Sequence, residues 1–128
     1  MIIKQISVFM ENKAGFLSSV IDTLAEKNIN IEAFSIAETS DYGILRLIVD
    51  KIDEAHDILT KCNLPHSIND VLAVMVEDHP GALSGILKKL ADNGISLEYS
   101  YAFLSRNTDN ACIILRVTDN NKAQEILQ

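Results

Sequence analysis

Positive charge is the first thing this sequence is short of. Eleven Lys and Arg stand against 18 Asp and Glu, a net charge of −7. Binding along a nucleic-acid backbone is dominated by Lys and Arg, so nucleic acid is excluded as the main partner. No apolar run approaches the roughly 18–20 residues of a membrane span, which excludes a membrane-spanning helix. The opening MIIKQISVFME lacks the long apolar region and small-residue cleavage site of a secretory leader, and reads directly as a strand. Cys62 and Cys112 are far apart, with no CxxC. Two separated thiols make no disulfide framework, so a reducing cytoplasm is the expected setting. There is no GxSxG, no HExxH, no phosphate-binding loop and no GxGxxG after a strand. His56, His66 and His79 have no metal-ligand spacing. These absences predict a protein that is not an enzyme and uses neither metal nor cofactor.

What the sequence does have is a duplication. A shift of 66 positions lays residues 11–32 onto 77–98 without a gap, Glu11 falling on Glu77. The identical pairs are Glu11/Glu77, Gly15/Gly81, Leu17/Leu83, Ser18/Ser84, Leu24/Leu90, Ala25/Ala91, Ile29/Ile95 and Glu32/Glu98. Upstream, ISVFM lies over LAVMV. Downstream, ILRLIVD matches ILRVTD once four extra residues are allowed in the second copy, with Arg46 over Arg116. A long internal period has to be read before any single motif.

Each copy spells the same order of elements. Ile6, Val8 and Met10, like Leu72, Val74 and Val76, alternate as in a half-buried strand. Leu17, Val20, Ile21 and Leu24 then fall at helical spacing, repeated by Leu83, Ile86, Leu87 and Leu90. Asn28 and Gly94 stand where a helix ends in left-handed backbone. A strand over residues 30–38 or 96–104 follows, then a polar turn (TSDYG or SRNTDN), a strand over 44–49 or 111–117, and a short helix marked by Ala55, Ile58 and Leu59 or Ala123, Ile126 and Leu127. A strand over residues 67–76 closes copy one and opens copy two. The predicted fold is α+β: two ferredoxin-like βαββαβ units in tandem, residues 1–68 and 69–128, each an antiparallel sheet with helices on one face. The second unit lacks its last strand, which predicts an exposed sheet edge: either the chain is a truncated form or a partner covers that edge.

The recurrent ENKAGFLSSV and EDHPGALSGI each place a glycine in a polar turn ahead of an apolar helix. Unpaired N–H groups at a helix start carry partial positive charge, a seat for a carboxylate or phosphate. Glycine at such a turn is equally an ordinary conformational requirement.

The stretches ENKAGFLSSVIDTLAEKNINIEAF and EDHPGALSGILKKLADNGISLEYS resemble the ACT domain, a small regulatory module of amino-acid biosynthetic enzymes. The resemblance covers nearly the whole chain. It implies an amino-acid ligand held at an interface between two such modules, allosteric regulation, and a homodimer. Asn12 in the first turn and Asn30 at the second strand's start resemble asparagines that hold the ligand in ACT domains of serine-feedback enzymes. An amide can pair an ammonium and a carboxylate together. Backbone amides of Ala14, Gly15, Phe16 and Leu17 would meet the carboxylate. The second copy departs from this pattern, with Asp78 over Asn12 and Ser96 over Asn30, beside Gly81, Ala82 and Leu83. Unequal sites follow.

The opening residues are also similar to regulatory subunits of acetohydroxyacid synthase. The alternative is therefore a non-catalytic small subunit that docks on a biosynthetic enzyme and binds no ligand. An RNA-recognition module shares the element order but needs basic, aromatic central strands, and ILRLIVD has neither. His79, in the second turn, is a candidate ligand contact. Tyr99, Tyr101, Arg46 and Arg116 read as packing or paired residues.

Overall fold

The computed structural model describes residues 1–38, 41–104 and 110–128. Parts of the two polar turns, residues 39–40 and 105–109, lie outside the described residues. The elements are β1 (Ile2–Glu11), α1 (Phe16–Glu26), β2 (Ile31–Glu38), β3 (Tyr42–Val49), α2 (Ile52–Lys61), β4 (His66–Glu77), α3 (Ala82–Asp92), β5 (Leu97–Ala102), β6 (Asn110–Val117) and α4 (Asn120–Leu127). The chain forms two compact units. The first is Lys4–Asn69; the second is Asp70–Gln128 together with Met1–Ile3.

In the first unit β3 lies between β2 and β1, all antiparallel. The start of β4 takes the other side of β1, where Phe9 N–H donates to Pro65 O at 3.0 Å. Alternation in β1 sends Ile6, Val8 and Met10 to one face, where they bury with Leu45 and Leu47 of β3. Val20 and Leu24 of α1 and Ala55 and Leu59 of α2 close that core, so both helices cover one face. The other face carries the buried Gln5, whose Nε2 donates to Ser7 Oγ at 3.3 Å. Ser7 Oγ donates in turn to Asn69 Oδ1 at 2.9 Å. A polar side chain tolerates burial when it is bonded in this way.

The second unit repeats the plan. Its β6 pairs with β4 and with β5, and Leu72, Val76, Ile113, Leu115 and Val117 bury with Leu90 and Ala123. Asn28 (φ 59°) and Gly94 (φ 72°) adopt the left-handed backbone expected where α1 and α3 end. The duplication extends to a defect. Pairing slips by one residue between Ile31 and Ala33, and again between Leu97 and Tyr99, a β-bulge at Glu32 and at its counterpart Glu98.

The exposed edge expected beside β4 is not there. No strand follows α4 among the described residues, but Met1–Ile3 belong to this unit. Met1 N donates to Ala73 O at 3.0 Å and Ala73 N donates to Met1 O at 2.8 Å. Ile2 packs against the second core. The start of β1 thus takes the place of the fourth strand, and β4 serves both units, residues 66–69 in the first and the rest in the second. The long shared strand read from the sequence is present; the need for a partner to complete the sheet is not.

Ile2→Ala is expected to destabilise the second unit by about 1–2 kcal/mol, below the roughly 2–5 kcal/mol of a fully buried Ile→Ala change, because Ile2 is only half-buried. Hydrogen exchange at the Ala73 amide should accelerate, while exchange in α1 and β3 stays nearly unchanged.

Candidate functional site

The two turns have one geometry. In the first, Lys13 N–H donates to Glu11 O at 2.9 Å, Phe16 N–H to Lys13 O at 3.3 Å and Ser19 N–H to Gly15 O at 2.9 Å. In the second, His79 N–H donates to Glu77 O at 2.9 Å, Ala82 N–H to His79 O at 3.3 Å and Gly85 N–H to Gly81 O at 3.0 Å. Gly15 (φ 86°) and Gly81 (φ 91°) occupy the N-cap positions in left-handed backbone. An L-residue there would be strained, so the conformational reason for glycine is real. Its consequence is that α1 and α3 begin with no side-chain cap. At α4, by contrast, Asp119 Oδ1 accepts from Lys122 N at 3.0 Å. Of the amides expected to meet a carboxylate, that of Phe16 is spent on Lys13 O. Those of Gly15 and Leu17 have no acceptor among the described residues.

The structure separates the two asparagines. Asn12 Nδ2 donates to Tyr42 O at 3.1 Å, at the start of β3. A Cβ on Gly43 would stand 3.1 Å from Asn12 Oδ1, so glycine at 43 makes room for that side chain. Asn30 sits beyond the other end of β3, where its N–H donates to Asp50 Oδ1 at 2.9 Å and its carbonyl accepts from Asp50 N at 3.2 Å. Eight residues of strand hold them roughly 25 Å apart at about 3.3 Å per residue. The second unit repeats this: Asp78 follows Glu77, which pairs with Asn110, whereas Ser96 bonds Thr118 at the far end of β6. One unit alone therefore cannot bring Asn12 and Asn30 to one ligand.

Over residues 1–128 the sequence matches the family described as an ACT domain pair. This chain belongs to the ACT family. The ACT pair is similar to the protein BT0572 of Bacteroides thetaiotaomicron, with a TM-score of 0.92 and 39% identity, covering 99% of this chain and 87% of that one. It shares its fold with the ligand-free regulatory subunit of aspartate kinase from Thermus thermophilus at a TM-score of 0.68 and 14% identity, over 98% of this chain and 94% of that one. In sequence it is 29% identical over 70 residues to the acetolactate synthase small subunit of Haemophilus influenzae, 55% of this chain and 43% of that protein. The chain thus spans less than half the length of that relative.

Other polar residues of the ACT pair find partners. Arg116 Nη1 donates to Asp70 O at 2.8 Å, and its Nε lies 3.6 Å from Glu98 Oε2. Tyr99 and Tyr101 stack with ring centroids 6.5 Å apart. Rings of His56 and His66 approach to 2.8 Å (Nδ1 to Nε2) and His66 Nδ1 bonds Leu64 O. Among the described residues no three His, Cys, Asp or Glu side chains gather as metal ligands, and no helix is long and apolar enough to cross a membrane. Sequence reasoning missed the roles of Gln5 and Gly43, because both depend on neighbours distant in the chain.

His79 is set up to hold two protons. Its Nδ1 faces Pro80 O at 3.0 Å and its Nε2 faces Glu77 Oε2 at 2.8 Å. The Pro80 carbonyl first, then the Glu77 carboxylate, raise its pKa above the ordinary imidazole value. The resulting stabilisation of the turn is complete below the ordinary value and is lost as pH rises through the raised one. Glu77→Gln should lower the His79 pKa, followed by its ring-proton shifts in an NMR titration, but not fully to the ordinary value, because Pro80 O remains.

Proposed function

We propose that this protein is a regulatory sensor of amino-acid metabolism that binds a small ligand, an amino acid, between two ACT modules. The first turn would supply Asn12 and the backbone of Ala14, Gly15 and Leu17, with Phe16 packed beneath, to seat the carboxylate at the start of α1. Asn30 of another module would meet the rest of the ligand. The observation that carries this reading is the placement of Asn12 and Asn30 at opposite ends of β3, which makes a shared ligand a bridge between modules. A ligand that binds only the bridged arrangement favours it by its differential affinity, which is how regulation would be transmitted. A homodimer is the simplest assembly that provides the bridge. Asp78, Gly81, Ala82, Leu83 and Ser96 would form the unequal second site, where the Asp78 carboxylate disfavours a second carboxylate. The names of the relatives, an acetolactate synthase small subunit and an aspartate kinase regulatory subunit, support an amino-acid pathway and a cytoplasmic setting.

A second reading has its own observation. Phe9 and its counterpart Met75 are 57% and 59% exposed, and both alternate with residues that face the helices. Exposed apolar side chains at equivalent positions suit docking on a biosynthetic enzyme. Thermal unfolding with each amino acid added singly separates the two. A ligand at about 100 times its Kd should add roughly 2.7 kcal/mol and raise Tm by several degrees. Asn30→Ala, at an exposed position, should remove that shift with no loss of basal stability. No shift with any amino acid would favour docking.

A further inference from the structure

The second unit carries an open groove of about 370 Å³, within the range of small-molecule sites. Val74 and Val76 of β4, Ala82, Ile86 and Lys89 of α3, and Leu127 of α4 line it. Ala82, Ile86 and Lys89 follow one another at spacings of four and three along a single face of α3. Glu77 and His79 stand at its rim, bonded to each other.

The duplication acts as an internal control. Phe16 of the first unit corresponds to Ala82, Val8 to Val74, Val20 to Ile86 and Leu59 to Leu127. In the first unit Val8, Val20 and Leu59 are sealed, with Phe16 packed against them. In the second unit Val74, Ile86 and Leu127 are only partly buried, and Ala82 stands where the first unit has a phenyl ring. The polar residue changed as well. Thr23 of the first unit turns its hydroxyl onto Ser19 O at 2.8 Å. Its counterpart is Lys89, whose ammonium has no partner among the described residues, whereas the adjacent Lys88 is paired with Asp92 at 2.8 Å. The second copy has opened a groove and set the exposed Lys89 cation beside it.

We propose that this groove binds a short aliphatic carboxylate, its chain filling the space that Phe16 fills in the first unit and its carboxylate pairing with the Lys89 ammonium. The inference rests on the reading that the protein binds small metabolites, and it adds a ligand class for the second unit. Two features separate such a ligand from a nonspecific apolar guest: the cation at one end of the groove, and a rim carboxylate, Glu77, already engaged by His79.

The test uses the full chain and pentanoate, followed by ¹H–¹⁵N correlation spectra. Amide signals of Met75, Ile86 and Lys89 should move together and saturate. Ala82→Phe, which installs the residue the first unit already carries, should abolish these shifts and raise Tm. Lys89→Gln should weaken pentanoate binding about tenfold, the loss of one charge-assisted contact. Pentanamide should bind the unsubstituted protein at least about tenfold more weakly than pentanoate on the same ground. The inference is overturned if pentanoate moves none of these signals, if Ala82→Phe leaves them moving, or if the amide binds as well as the acid. Stabilisation by an amino acid that survives Lys89→Gln, while pentanoate binding weakens, leaves the bridging site standing, so the two readings fail separately.

Discussion

Two hydrogen bonds between the first residue and the seventy-third complete the second unit. Met1 and Ala73 exchange N–H and C=O, as directly opposed residues of an antiparallel pair do. A βαββαβ unit needs a fourth strand beside its first, and among the described residues no strand follows α4. The start of β1 provides it, and in exchange the start of β4 provides the fourth strand of the first unit. Each of these strands is therefore longer than one unit requires. β4 has twelve residues and β1 ten, against six to eight for the others.

With the sheets complete, the turns can diverge. Gly15 and Gly81 are fixed by backbone conformation, and the hydrogen bonds around them repeat to within about a tenth of an ångström. The side chains on this common frame have drifted: Asn12 to Asp78, Lys13 to His79, Phe16 to Ala82, Thr23 to Lys89. None of these changes touches the strained backbone position, so the fold tolerates them. What they alter is charge and volume at the mouth and floor of each turn, which are the properties that choose a ligand.

Much of this was legible in the sequence, and the reasons differ by residue. Ile6, Val8 and Met10 announce a strand because alternation is a local signal, and Asn28 and Gly94 announce helix ends because few residues accept left-handed backbone. The shared strand could be read from the lack of any break between the copies. The partner of Ala73 could not, because Met1–Ile3 read as strand whichever unit they join, and only long-range pairing assigns them. The Phe16/Ala82 difference was visible in the alignment, yet a missing ring becomes a cavity only if nothing collapses into it. The separation of Asn12 from Asn30 follows from topology, since a helix returns the chain to the far end of the sheet. It holds apart two residues similar in type to the ligand asparagines that the ACT resemblance implies, which is the ground for proposing a bridge between modules.

The proposed bridge, one ligand joining the first turn of one module to the second strand of another, is open to a test by mixing two variants. Asn12→Ala and Asn30→Ala proteins, each without ligand binding alone, are combined, allowed to exchange subunits and titrated by calorimetry with the amino acid that stabilises the unsubstituted protein. In a two-fold dimer a mixed pair carries one doubly altered and one intact site, so random exchange should restore about a quarter of the sites. If the ligand bridges two modules, that fraction is recovered at the original affinity. No recovery, with exchange verified, would contradict the bridge.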